Sequence, residues 1–385
     1  MEKYYNIRKF LKPLKILMTL LLTSFSPAAF SQGQWTQKAD FGGFERAYSI
    51  GFSIGTKGYL GLGENTNTTA YQDLWEYEPS NDSWTQKANY PNIFTINSVA
   101  FVINNSAYVG TGREESVSNY SNEFFEYNPT TNTWSAIADF PGTSREQAIS
   151  FAIGGKGYVG TGLTNTNVGL ADFWEYDPLS DSWVQKNNFP DTRAGSTGFA
   201  INGKGYVATG RSYTLNDLMK DLWEYEPSTD NWTQKSNLPA SQRTGAVSFT
   251  INSFGYLTTG YREFDNGETD CWQYNPSTDT WLGMASFSGE GRGFAVGFSL
   301  GNKGYVGTGG LSASSTFTDD FRVFDPNPVT TSVTADFSFD DACEDKGVQF
   351  TDESSTTGGS TIVSWDWDFG DGNSSSSQNP IHTYT

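Results

Sequence analysis

The chain has 385 residues, with 24 Lys and Arg against 43 Asp and Glu, a net charge of −19, and a single histidine. So acidic a surface repels polyphosphate and anionic headgroups, which excludes nucleic acid and acidic membranes as partners. The one histidine, His382, sits near the chain end, so no Ser-His-Asp triad and no histidine-based metal site can form in the sequence before it.

Residues 1–31 carry Lys3, Arg8, Lys9, Lys12 and Lys15, then an apolar run from Ile16 to Phe25, then Ala29-Phe30-Ser31. Basic, apolar and small-x-small segments in that order read as a secretory signal peptide cleaved before Gln32. The apolar run is too short to span a bilayer. Cleavage removes five basic residues and one acidic one, Glu2, and takes the net charge from −19 to −23. The expected product is a monomer, secreted or at the cell surface, without membrane insertion.

From Gln32 to Asn327 one unit recurs. Its closing tryptophans are Trp35, Trp84, Trp134, Trp183, Trp232 and Trp281, spaced 49, 50, 49, 49 and 49 apart. The copy near Arg145 shows the plan: a buried strand over 147–153, a Gly154-Gly155-Lys156 turn, a second strand over 157–162, a loop, a third strand over 172–178 and a fourth over 182–186. Pro178 ends the third strand because proline cannot donate to a ladder. Four short strands joined by turns make an antiparallel meander. Glycine weakens a strand unless another backbone or ring must come close, so the recurrent glycines predict tight packing between adjacent sheets.

The second strand reads YLGLG at 59–63, YVGTG at 108–112, 158–162 and 305–309, YVATG at 206–210 and YLTTG at 256–260. The third reads DLWEYEP at 73–79 and 221–227, EFFEYNP at 123–129, DFWEYDP at 172–178, DCWQYNP at 270–276 and DFRVFDP at 320–326. These strands, with the tryptophan downstream, resemble kelch motifs over roughly residues 35–326. Kelch motifs usually end the second strand in a double glycine; here that pair is mostly Thr-Gly, and Gly309-Gly310 is the exception. The resemblance implies an all-β fold, a β-propeller with one four-stranded sheet per blade. The chain opens with a fourth strand, Trp35–Lys38, and the last copy ends on a third strand, Asp320–Pro326. Together they make one blade. Six blades are expected, with the N-terminal strand closing the ring and leaving no open seam.

Composition shifts after Pro326, and 328–334 reads as a linker. Trp365-Asp-Trp-Asp-Phe-Gly-Asp-Gly372, followed by Gln378 to Tyr384, resembles a PKD domain, an immunoglobulin-like β-sandwich, over 335–385. That family's pattern runs on by a strand or two past His-Thr-Tyr, so an incomplete domain is expected. Asp366, Asp368 and Asp371 lack the spacing of an EF-hand and read as turn chemistry; His382 reads as structural. Cys271 sits where other copies have Leu or Phe and reads as a small core residue. Cys343 lies in the C-terminal segment, and nothing supports a bond between the two. No cofactor and no metal are expected.

Loops leaving alternate ends of a meander share a face. The turns between first and second strands are short and nearly identical. The connections between second and third strands vary freely: 64–72, 113–122, 163–171, 211–220, 261–269 and 310–319. Rigid scaffolds carry function on such loops. Arg113, Arg211 and Arg262 lie there, and Arg46, Arg145, Arg193, Arg243 and Arg292 recur just before the first strand. The recurrent set reads either as structural links to nearby acids or, with the loop arginines, as a ring attracting carboxylate or sulfate. Tyr71, Tyr120, Tyr213, Tyr261 and Phe264 offer stacking surfaces to a sugar or peptide. The expected function is a non-catalytic scaffold that binds a glycan or an extracellular protein, with the PKD-like module as a spacer. Two alternatives remain. One is a kelch-type enzyme: the copper oxidases of that group need histidine and tyrosine ligands, and the repeats lack histidine, whereas sialic acid isomerisation could use Arg and Glu, for which Glu64, Glu114, Glu115, Glu146 and Glu263 are available, with no pair placed well enough by sequence for acid and base roles. The other is a purely structural adhesin segment.

Overall fold

Residues 32–93, 95–114, 119–262, 266–311, 316–327, 333–340, 346–356, 362 and 364–384 are described by a computed structural model. The leader, Glu115, Glu263, Phe264 and Cys343 lie outside these residues. Two units result, Ser31–Asn327 and one holding Pro328–Thr385.

The first unit contains six four-stranded antiparallel sheets. Their first strands are Ile50–Ile54, Val99–Ile103, Ile149–Ile153, Thr197–Ile201, Val247–Ile251 and Val296–Leu300, each alternating between fully and partly buried positions. That alternation has a packing cause. A Cβ added to Gly157 would collide with the Phe101 ring of the preceding blade. Gly205 meets Phe151, Gly255 meets Phe199, Gly304 meets Phe249 and Gly58 meets Phe298 in the same way. Each missing side chain lets a phenylalanine from the neighbouring blade lie flat on the sheet, the close approach that justifies glycine inside a strand.

At the outer edge, each fourth-strand tryptophan reaches back to the preceding linker. The Trp183 indole donates to the Ala138 carbonyl at 3.0 Å and packs edge-on against Phe140, 5.2 Å between centroids. Asp181, in the turn before it, accepts from the Ala138 amide at 2.9 Å and from the Tyr176 hydroxyl at 2.8 Å. The same triangle recurs around Asp82, Asp230 and Asp279, and around Asn132 in the second blade. The even spacing of the tryptophans therefore follows from one repeated contact, in which each from Trp84 onward caps the linker 45 or 46 residues before it.

Strand Gln34–Gln37 pairs antiparallel with Phe321–Asp325, from Gln34 opposite Asp325 to Gln37 opposite Arg322. It supplies the fourth strand of the last sheet. Trp35 is buried there, 4.9 Å from both Phe287 and Phe324, and donates to the Ala285 carbonyl at 2.9 Å.

Second strands are shorter than their motif: they end at Gly61, Gly110, Gly160, Ala208, Thr258 and Gly307. The next two residues both take left-handed backbone, as in Thr161 (φ 58°) and Gly162 (φ 104°), which no strand can continue. Five of the six copies put threonine, a β-branched residue, in that conformation, at a steric cost of roughly 1–2 kcal/mol each. The first strands likewise start two residues later than expected, because Gln147 is left-handed (φ 54°).

In the second unit, Phe337–Phe339, Val348–Asp352 and Ile381–His382 form one sheet around Phe350, Trp367 and Phe369. Val333–Thr334, expected as linker, instead pairs with Ser355–Thr356. Asp368 accepts the Gly370 amide at 2.9 Å and Asp371 the Asn373 amide at 3.0 Å, which is turn chemistry. His382 lies 2.7 Å from Asp371 and stacks on Phe369 at 4.2 Å. Cys271 is a buried free thiol in the core beneath Trp35.

Candidate functional site at the propeller mouth

The recurrent arginines are structural. Arg46, Arg145, Arg193, Arg243 and Arg292 are all at most 2 % exposed. Arg145 donates to both Asp172 oxygens at 2.6 and 2.7 Å, to the Thr161 carbonyl at 2.8 Å and to the Thr143 carbonyl at 2.8 Å. The Asp172 carboxylate also accepts the Trp174 indole at 2.8 Å. Aspartate and tryptophan two residues apart are thus the two halves of one arginine socket. In the second blade all three positions change together: Thr95 replaces the arginine, Glu123 the aspartate and Phe125 the tryptophan. There Asn92 donates to Glu123 at 2.6 Å, and the buried Thr95 hydroxyl has no partner among the described residues.

Two residues past each socket position, the chain turns onto the axis. Tyr48, Asn97, Gln147, Gly195, Gly245 and Phe294 occupy equivalent places, all left-handed with φ between 52° and 66°. Their amides form a cycle: Tyr48 donates to Phe294, Phe294 to Gly245, Gly245 to Gly195, Gly195 to Gln147, Gln147 to Asn97 and Asn97 to Tyr48, over 2.8 to 3.2 Å. A second cycle lies around it. Gly63, Gly112, Gly162, Gly210, Gly260 and Gly309 each donate to the backbone carbonyl at the socket position of the next blade, the last to Arg46 at 2.8 Å. The variable loops therefore rest on a rigid double collar.

Inside the collar is a cavity of about 130 Å³, lined by Tyr48, Asn97, Gln147 and Phe294 among others. Below it the axial channel, about 170 Å³, is lined by Ser, Thr, Ala, Gly, Val and Ile of the first strands and of the residues just before them. Both are smaller than the roughly 300–1,000 Å³ that encloses a drug-sized ligand. A ligand would rest on the collar with one group inserted.

The walls of this mouth differ by side. On one, Arg113 donates through Nη2 to Glu64 at 2.8 Å and through Nε to Glu146 at 3.0 Å. Glu146 also accepts from Asn97 at 2.8 Å and from the Tyr120 hydroxyl at 3.0 Å. Glu64 and Glu146 are each 6 % exposed. On the other side the Tyr48 and Phe294 rings lie 4.8 Å apart, with Phe317 at 5.9 Å from Tyr48 and Tyr261 at 6.1 Å from Phe294. Tyr261 fits because Gly293 and Gly310 leave room for its ring. Burial, then Tyr261 and Glu64 nearby, push the Tyr48 phenol up to about 12. Burial and Glu146 push Tyr120 likewise to about 12. Both phenols are neutral donors at any physiological pH, and the Tyr48 hydroxyl has no partner among the described residues.

Of the site residues expected from sequence, Arg113, Tyr120 and Tyr261 converge on the mouth. Tyr213 packs over Gly169, and its phenol is raised by burial, with Arg211 opposing and Glu146 adding to the shift. Tyr71 stays at the rim, stacked on Phe44 and 4.3 Å above Arg46. Arg211 donates to Asn216 at 2.7 Å, and Arg262 pairs with Glu268 at 3.1 Å, both exposed on loop hairpins. No open ring of arginines exists among the described residues: five are enclosed with aspartate and Arg113 lies between two glutamates. Tyr48, Asn97, Gln147 and Phe294 escaped the sequence reading. Their signal was available, since they hold a fixed offset from the socket position at which the copies vary in chemistry, from Tyr and Phe through Asn and Gln to Gly.

A family model for the PKD domain matches residues 327–385. The solved structure titled "Structure of YjhT" superposes with a TM-score of 0.64 at 15 % identity, over 74 % of this chain and 95 % of that one. That likeness concerns the fold, a kelch-type propeller. No curated protein matches the sequence. Blades, collar, superposition and C-terminal match lead to one conclusion: the chain joins a kelch-like β-propeller to a PKD domain.

Proposed function

We propose that this is a secreted, non-catalytic binding protein whose propeller mouth takes a saccharide on the variable-loop face, with the PKD domain as a spacer. The observation that carries this reading is the two-sided mouth. Tyr48, Phe294 and Tyr261 offer ring faces on one side, and Arg113, Glu146, Asn97 and Tyr120 offer fixed polar groups on the other. A pyranose has the same division, with C–H faces for aromatic rings and equatorial hydroxyls for carboxylates and amides. The rigid collar lowers the ordering cost of binding. Secretion fits a domain type common in extracellular proteins, and no helix among the described residues is long and apolar enough to cross a membrane.

An extracellular protein partner is the alternative ligand, favoured by exposed apolar side chains at the loop tips: Phe44, Ile93, Val168 and Leu215 are 52–69 % exposed. The isomerase reading has the Glu64 and Glu146 carboxylates in its favour, but both are engaged by Arg113, which suits positioning better than proton transfer. A glycan array probed with the full chain, then with Tyr261→Ala and Tyr48→Gly, separates these readings. Saccharide hits lost in both variants support the proposal. Turnover of a sugar anomer would replace it with the enzyme, and an array without hits would remove the saccharide.

A further inference from the structure

We infer that the mouth accepts uncharged saccharides and rejects acidic ones, because Glu64 and Glu146 neutralise Arg113, which is the one cation on its polar wall among the described residues. The inference rests on the saccharide reading above and specifies its ligand class. Carboxylates and sulfates are recognised by a guanidinium whose charge is free to be shared. Arg113 does not meet that condition. Its Nε and one Nη2 hydrogen are held by two glutamates, each almost fully buried, so the trio carries a net charge of −1. An anion approaching Arg113 must also approach both carboxylates, at a place where burial lowers the screening of their repulsion.

A sugar hydroxyl meets a different field. Guanidinium has five N–H donors, and two of those of Arg113 are taken by the glutamates. The side chain is 25 % exposed, so the remaining donors can reach a neutral oxygen. The Tyr48 phenol, within reach of the fields of Glu64, Arg113 and Glu146, adds a neutral donor and acceptor beside the trio. The hydrogen-bonding capacity of the mouth is thus kept while its attraction for anions is cancelled. Sequence separation shows that this is assembled by the fold: Glu64 lies 49 residues from Arg113 and Glu146 lies 33 away, in the blades on either side. Among the described residues Arg211 is the comparable cation without a carboxylate partner; it donates to Asn216 on an exposed hairpin.

The test uses matched oligosaccharides that differ only by a terminal sialic or uronic acid, titrated against the full chain. Neutral forms are expected to bind at least about tenfold more tightly than their acidic counterparts, a difference near 1.4 kcal/mol. The gap should narrow at high salt, a readout that needs no variant. In Glu64→Gln and in Glu146→Gln one of the two carboxylate charges is removed, the trio becomes neutral overall, and the preference should fall or reverse. Tighter binding of the acidic forms by the unaltered chain overturns the inference while leaving saccharide binding in place. So does acidic binding that disappears in Arg211→Ala, or an unchanged preference in folded Glu→Gln variants. Absence of binding to either class overturns the saccharide reading itself, and this inference with it.

Discussion

Tyr48 donates its amide to the Phe294 carbonyl at 3.1 Å while the two rings sit 4.8 Å apart, so the joint between the first and last blades is also the aromatic wall of the mouth. Both residues are left-handed, at φ 59° and 52°. Blades four and five place Gly195 and Gly245 at the same point of the cycle, so the collar itself does not require a side chain there.

Tyr48→Gly should therefore separate stability from binding. The left-handed strain relieved, roughly 1–2 kcal/mol, offsets the ring–ring interaction, about 0.5–1.5 kcal/mol beyond burial, and leaves the lost burial of a half-buried ring as the net cost. Thermal melting should stay within a few degrees of the parent while saccharide affinity falls at least tenfold. A large drop in melting temperature would mean that the ring is there for the fold.

The arginine sockets should behave in the opposite way. Asp172→Ala leaves the Arg145 guanidinium buried without its carboxylate, and a loss of about 3–5 kcal/mol in urea denaturation is expected. Arg211→Ala, on its exposed hairpin, should stay within about 0.5 kcal/mol. The second blade supplies the compensated form. Arg145→Thr, Asp172→Glu and Trp174→Phe combined should cost less than Asp172→Ala alone, and a larger cost would show that the three positions do not act as one unit.

Acid should weaken the same sockets. Burial raises the Asp270 carboxyl, but the Arg243 guanidinium and Trp272 indole outweigh burial and hold it below 3.8. Asp320 is lowered too, with Arg322 and Arg292 outweighing burial. A carboxyl lower in the folded than in the unfolded state adds stability above its unfolded value and loses it as pH falls through the folded one. The urea midpoint should be level from neutral pH to about 4 and drop below that. A drop centred near pH 6 would point to a different group.

Removal of residues 32–40 should sharply lower the melting temperature. The deletion strips Trp35 from Phe287 and Phe324 and exposes the edge of Phe321–Asp325. Trp35→Ala alone should cost about 3–5 kcal/mol. An unchanged melting temperature in the deletion would mean that the ring holds without this strand.

The blade plan was legible because it is local: strands, turns and capping tryptophans follow one another within fifty residues, and six copies repeat them. The socket arginines were legible as structural links for the same reason, since recurrence in five blades points to the scaffold. The mouth was not. The Arg113 clamp joins residues from three blades, and no spacing rule within one copy predicts that Glu64 and Glu146 meet there. Tyr48 and Phe294 were missed because their equivalent in the third copy, Gln147, was taken as strand, whereas the backbone turns left-handed there to reach the axis. Thr161 and its equivalents misled in the same direction: a β-branched residue next to glycine suggests a strand continuing, yet each sits in a conformation glycine would hold more cheaply.

The pairing of Gln34 with Asp325 has a mechanical consequence. Because the two strands are antiparallel, the chain enters the last blade and leaves it at the same rung. Tension applied between those two points loads that rung first and opens the pair like a zipper, one rung at a time, toward Gln37 and Arg322. Tension applied from one side alone places no load across the pair. The propeller is therefore suited to hang from a single tether, and a pull on both ends would find its weakest line at the strand that completes it.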